Sequence, residues 1–214
     1  TFIYTGFCFS QVNGKAYYVK KINPKFEKKI DSLSNKTKNP FNTIKEFTQN
    51  LEFILEFNKT TAVYKEEKKM TSDNDNVSSE LAKILSGYSG PSYYNFDDKK
   101  VTFVKDFFND LYLIEKETSS YNWVLTKERM TINNLTCYKA TTTITNEGKN
   151  GVNKIPITAW YSIDINTPAG PDGFCGLPGL IVQLEKANFI TVLTKIKFFD
   201  SEKKIELPKK GKPM

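Results

Sequence analysis

Residues 93–127 read YYNFDDKKVTFVKDFFNDLYLIEKETSSYNWVLTK, and their rhythm decides the fold class. Runs rich in aromatic and β-branched residues, Tyr93 to Phe96, Val101 to Phe107, Leu111 to Glu117 and Asn122 to Lys127, alternate with turns of Asp, Asn, Lys and Ser. Such residues suit a pleated, half-buried surface, and a repeat of roughly ten residues leaves room for hairpin loops only. Parallel strands would need a crossover helix between them, and these gaps are too short to hold one. The same rhythm continues through Leu135 to Thr145, Ile157 to Ser162, Leu180 to Glu185 and Phe189 to Phe199. The expected fold is mainly β: a single antiparallel curved sheet or open half-barrel with one or two short helices.

Working outward, Phe2 to Phe9 reads as a first strand, Gln11 to Gly14 as a turn and Ala16 to Val19 as the next strand. Residues 23–50 are polar, rich in Lys and Asn, and contain Pro24 and Pro40, which reads as an insertion carrying one short helix. Leu51, Phe53, Leu55 and Phe57 alternate with Glu52, Ile54, Glu56 and Asn58, a half-buried strand in which Ile54 is an unexpectedly apolar outer residue. Asn58 and Lys59 then turn the chain into Thr61 to Lys65. Leu81, Ile84 and Leu85 share one face of a helix over Val77 to Leu85, stopped by Gly87 and Gly90-Pro91. Residues 1–207 are expected to form one β-rich domain, and residues 208–214, with Lys209, Lys210 and Lys212, a solvated and mobile tail.

Composition narrows the functional classes. The formal charge is +7, yet Arg129 is the only arginine among 31 basic residues. Lysines supply point charges without the guanidinium forks that read bases and phosphates, so no nucleic-acid partner is expected and the basic surface reads as solvated. Histidine is absent, which removes Ser-His-Asp and Cys-His catalysis and histidine-containing zinc sites. No cofactor and no metal are expected. No window approaches the apolar length of a membrane-spanning helix. Cys8, Cys137 and Cys175 allow one disulfide and leave one thiol over. Pairing of Cys137 with Cys175 would staple a glycine-rich turn to a strand; the alternatives are a pair involving Cys8, or three buried thiols acting as small hydrophobes.

The most distinctive string is Gly170-Pro171-Asp172-Gly173-Phe174-Cys175-Gly176-Leu177-Pro178-Gly179-Leu180-Ile181, preceded by Ala159-Trp160-Tyr161 and by Cys137-x-Lys139-Ala140 after Trp123. In this order the motifs resemble the GLPGLI family, named for the string at Gly176 to Ile181, over approximately Tyr121 to Lys197. The loop from Asn146 to Pro156 lacks the arginine that family members often carry before the Ala-Trp-Tyr strand. The resemblance implies an exported protein of the Bacteroidota envelope, with the signal peptide removed and residence in the periplasm or at the periplasmic face of the outer membrane. It implies no activity. It also strengthens the disulfide expectation, because that compartment is oxidising.

Physically, Gly170, Gly173, Gly176 and Gly179 mark successive turns, Pro168, Pro171 and Pro178 stiffen them, and Leu177, Leu180 and Ile181 can anchor the loop to the sheet. Two uses follow: a rigid crossover that plugs one end of the sheet, or a surface presented to another envelope protein. Carboxylates offer little. Asp73 and Asp75 sit in a calcium-loop-like spacing that has Ser78 where glycine belongs, while Asp97, Asp98, Asp106 and Asp110 form a loose group. The aromatics Tyr88, Tyr93, Tyr94, Phe96, Phe103, Phe107, Phe108, Tyr112 and Tyr121 crowd one region and read mostly as core. The functional expectation is a non-enzymatic envelope accessory protein that binds a protein partner, such as an outer-membrane transporter or β-barrel assembly. The alternative is a periplasmic carrier or chaperone that takes lipid or hydrophobic peptide into a concave apolar groove.

Overall fold

A computed structural model describes residues 13–31, 51–67, 83, 86–107, 110–148, 151–201 and 203–213. The strands are β1 (Asn13–Ile22), β2 (Glu52–Phe57), β3 (Thr61–Glu66), β4 (Ser92–Asn95), β5 (Lys100–Phe107) and β6 (Asp110–Glu117), then β7 (Val124–Ile132), β8 (Leu135–Gly148), β9 (Gly151–Ser162), β10 (Leu180–Glu185), β11 (Phe189–Phe199) and β12 (Lys212–Pro213). Among the described residues the helix α1 (Pro24–Asp31) follows β1. The strands form one sheet in the order β12-β6-β5-β4-β3-β2-β1-β11-β10-β9-β8-β7, antiparallel throughout except for the two-residue β12, which lies parallel to β6. The sheet is open: β6 and β7 lie at opposite ends of the antiparallel order and do not pair.

Its curvature follows from connectivity. Laid flat, the eleven antiparallel strands would place β6 and β7 about 48 Å apart at ordinary strand spacing. Yet β6 ends at Glu117 and β7 begins at Val124, joined through a 3-10 turn at Thr118–Tyr121, and such a link spans at most about 25 Å. The sheet must therefore curl until its two ends face each other, which makes a half-barrel with an open seam.

The concave side holds the core. In β1, Gly14, Ala16, Tyr18 and Lys20 point inward with period two. With Phe53, Leu55, Tyr64, Tyr94 and Val101 from β2 to β5 they surround a cluster completed by Ile165, Ala169, Cys175, Leu180 and Val182. A second cluster packs Ala140, Ile157, Ala159 and Tyr161 against Phe174, Leu177, Ile181 and Leu184.

Several expectations are corrected. Asn13 and Gly14 are strand residues rather than part of a turn: Gly14 is needed because a Cβ there would stand 2.6 Å from the Phe57 ring. Ile54 is buried, at 4% exposure, because β2 is covered on both faces. Part of that cover is the segment after β11, where Lys203 meets Glu56 at 3.3 Å and its carbonyl accepts from Asn58 Nδ2 at 3.0 Å. Much of the stretch from Asn146 to Pro156, read as a loop, is strand: β8 and β9 stay in register out to Gly148 opposite Gly151. Val152 and Ile155, three apart, are the only apolar residues from Asn146 to Pro156 besides Pro156 itself, so no period-two pattern reveals the ribbon to sequence reading. The tail ends on the sheet, with Lys212 and Pro213 paired to Tyr112 and Leu113 and Lys212 bound to Asp110 at 2.7 Å. Of the helix expected over Val77 to Leu85, only Lys83 is described, and it is helical. The strand expected at Phe2 to Phe9, Cys8, and most of the insertion lie outside the described residues.

Candidate functional site

The signature turn lies inside the half-barrel. Gly170, Pro171, Gly173, Leu177, Gly179, Leu180 and Ile181 are buried, while Gly176 and Pro178 reach the surface. Its backbone is claimed by the protein's own aromatics. Tyr94 Oη donates to the Gly170 carbonyl at 2.5 Å and accepts from Gly173 N–H at 3.1 Å. Tyr121 Oη donates to the Gly173 carbonyl at 2.9 Å, Trp123 Nε1 to the Cys175 carbonyl at 2.8 Å, and Tyr18 Oη to the Ile181 carbonyl at 2.8 Å. These carbonyls are thus satisfied internally. Gly173 and Gly179 are required by contact as well as conformation. Both have positive φ, and a Cβ would stand 2.1 Å from the Phe103 ring in one case and 2.1 Å from the Ser162 carbonyl oxygen in the other.

Asp172, at the tip of the turn with φ 54°, is the centre of a buried charge cluster. Its carboxylate accepts from Lys20 Nζ through both oxygens at 2.9 Å and from Lys186 Nζ at 2.6 Å. Lys20 donates further to the Ser86 carbonyl at 3.2 Å and lies over the Phe53 and Tyr88 rings at 5.0 and 5.8 Å. Burial alone would raise the Asp172 carboxyl, but the two ammonium groups hold it below the usual range. Burial pushes the Lys20 ammonium down to about 8, against the pull of Asp172. Since Lys20 is fully enclosed and its donors are engaged, this lysine ties the turn to the central strand and has no path to an external substrate.

Lys186 and Asp172 also floor a cleft of about 760 Å³ at the seam. One wall is the inner face of β5 and β6, with Phe103, Lys105, Ile114 and Lys116; the other is β8 from Thr142 to Thr145; Tyr121 and Phe174 complete the floor. The 3-10 turn closes one end, where Thr142 Oγ1 donates to the Tyr121 carbonyl. Lys116 lies over the Phe103 ring at 5.7 Å and Lys186 over Phe174 at 5.4 Å, so cations and aromatic faces alternate around the opening.

The disulfide expected between Cys137 and Cys175 is not formed. Both are free thiols at 0% exposure in the same apolar cluster, and desolvation pushes them up to about 11 and about 12, away from the reactive thiolate. Of the loose carboxylate group, Asp97 and Asp98 sit in the turn before β5, and Asp106 and Asp110 flank the opposite end of that strand, so they do not converge. Asp73 and Asp75 lie outside the described residues, among which no cluster of three or more His, Cys, Asp or Glu residues could hold a metal ion. Tyr94 is core, with Tyr88, Phe96, Phe103 and Tyr121 packed against it. Lys20, Asp172 and Lys186 were not singled out by sequence reading. Two of them carried a signal: Lys20 shares an alternating face with Ala16 and Tyr18, and Asp172 is the one acid inside the glycine-proline turn.

A family described as "Protein of unknown function (Porph_ging)" matches residues 145–183, the segment that runs from the β8–β9 ribbon through the buried turn. No curated protein matches the chain. Among solved structures, PNGF-II in a C2 and in a P21 space group is similar, each with a TM-score of 0.56 and 14% identity over 90% of this chain. The chain spans 28% of the length of PNGF-II in the first and 29% in the second. The likeness extends to the fold.

Proposed function

We propose that this chain is a non-enzymatic accessory protein of the bacterial envelope, of the GLPGLI type, and that it holds a protein partner in the seam cleft. The observation that carries the reading is the cleft itself: about 760 Å³, with Phe103, Ile114, Tyr121, Ile144 and Phe174 set among polar side chains and lysines, where the ends of the curled sheet stay unjoined. The buried signature turn serves this cleft from beneath by fixing Asp172 and Phe174 in its floor. An outer-membrane transporter or β-barrel assembly is the partner class that the string Gly176 to Ile181 suggests. A carrier with its ligand in the lumen is less favoured, since Tyr18, Tyr64, Tyr94, Phe53 and Leu55 fill the interior at 0% exposure.

The test is cross-linking capture from native membranes with the wild-type chain and with Thr143→Trp, which fills the cleft from an exposed wall position. One defined partner is expected with wild type and none with the variant, at equal thermal midpoints. Equal capture by both would move the partner surface off the cleft, and a co-purifying lipid displaced by the variant would favour the carrier.

A further inference from the structure

Beside the cleft, whose walls are the inner face of β5 and β6 and the β8 segment from Thr142 to Thr145, two stretches of strand edge have no strand partner among the described residues. On its outer side β6 pairs only at Tyr112 and Leu113, with β12, so Ile114 to Glu117 have no strand beside them among the described residues. On the other wall β8 pairs with β7 from Leu135 to Thr141, and from Thr142 to Gly148 its outer side has no strand among the described residues. That edge begins Thr142-Thr143-Ile144-Thr145, uncharged and β-branched at every position. Natural sheets protect open edges with charge, proline or bulges. The free edge of β7 has such protection, with Lys127, Glu128 and Arg129 beside a register shift, whereas the part of the β8 edge that lines the cleft, Thr142 to Thr145, has no charge, proline or register shift. The outer edge of β6 already accepts one strand, since β12 lies along it in parallel.

We propose that the occupant of the cleft is one extended segment of a partner polypeptide, added as a β-strand between the edges of β6 and β8 with an acidic side chain among Lys105, Lys116 and Lys186. The proposal rests on the reading of the cleft as the partner site. A strand running as β12 does pairs parallel with β6 and, by alternation across the sheet, antiparallel with β8. The lane along Ile114 to Glu117 is about 13 Å long at ordinary strand rise, enough for a short strand. Main-chain hydrogen bonds to both walls would supply affinity, and the floor would select side chains, as in strand-addition complexes generally. The charge preference follows from the lining: Lys105, Lys116 and Lys186 face Glu117 and Asp172, and Asp172 is already bound by Lys20 and Lys186. The cleft therefore keeps an excess of positive charge for an incoming carboxylate.

The probe is the peptide acetyl-Val-Thr-Asp-Thr-Val-Thr-amide, with valine and aspartate on the inward positions, titrated into the full chain by calorimetry. Amide hydrogen exchange is read in parallel. Binding should slow exchange in residues 114–117 and 142–148, and N-methylation of alternate peptide nitrogens should weaken it at least about ten-fold, the loss of one or two main-chain hydrogen bonds. Replacing the aspartate by lysine should weaken it further, by a factor that shrinks with added salt. Equal binding of the methylated peptide would overturn strand addition while leaving the cleft a side-chain recognition site. No binding of either peptide, together with capture that Thr143→Trp abolishes, would also overturn strand addition and leave the partner reading standing. Capture unaffected by Thr143→Trp would remove both.

Discussion

The turn at residues 170–181 and the strand edge at residues 142–145 border the same cleft in opposite hydrogen-bonding states. The turn is the more conspicuous in sequence, with four glycines and two prolines, and five of its main-chain groups are held by Tyr18, Tyr94, Tyr121 and Trp123. The strand edge is an ordinary threonine run, and its outer side has no strand partner among the described residues. A motif rich in special backbone conformations is here spent on architecture, because glycine and proline solve a problem of close approach. In the strand-addition proposal recognition falls instead to the plain segment, whose main-chain edge has no strand beside it among the described residues.

The contrast predicts very different sensitivities. Asp172→Asn should have the largest effect, a loss of about 3–5 kcal/mol in urea denaturation, because it leaves Lys20 buried without its counter-ion. A loss no larger than that of a surface substitution would mean that the cluster does not hold the turn. The same carboxylate sets an acid limb. Its folded pKa lies below the unfolded value of 3.8, so its stabilisation is fully present above that pH and disappears as the pH falls through the lower folded value. Thermal midpoints of wild type should drop across that window, and Asp172→Asn should flatten the drop. Gly179→Ala comes next, at about 2–4 kcal/mol, since positive φ and a contact with the Ser162 carbonyl act together and backbone cannot move aside as a side chain would. Thr145→Glu on the exposed edge should change stability by no more than about 0.5 kcal/mol while it weakens the acidic peptide probe by placing a like charge beside it. A strongly destabilised Thr145→Glu would show that the edge is not free.

Much of the fold was legible from residue pattern. Val101 to Phe107, Leu111 to Glu117, Leu180 to Glu185 and Phe189 to Phe199 alternate clearly, and the strands found there agree closely. Legibility failed where alternation was absent or had another cause. The ribbon from Asn146 to Pro156 carries Val152 and Ile155 three apart among polar residues, so no period-two apolar pattern announces it, and Gly14 was read as a turn when its role is to admit the Phe57 ring. Cys137 and Cys175 looked like a staple in sequence, but each fills apolar space as a thiol. The candidate site was less legible still. Lys20, Asp172 and Lys186 are separated by as many as 166 positions, and a charge on an inward strand position has no meaning until its partner is known.

What the sequence determined by itself is the local character of the chain: where strands run, where turns must fall, and that neither histidine chemistry nor a membrane-spanning helix is encoded in it. These follow from side-chain shape and spacing, which act over a few residues. The tertiary structure alone decided that the glycine-proline turn faces inward, that one aspartate pairs with two lysines beneath a cleft, and that two strand edges beside it have no strand partner among the described residues. Those features depend on how far an eleven-strand antiparallel sheet curls before its ends approach, and that curvature is the sum of small twists over every strand, which no single stretch of residues reveals.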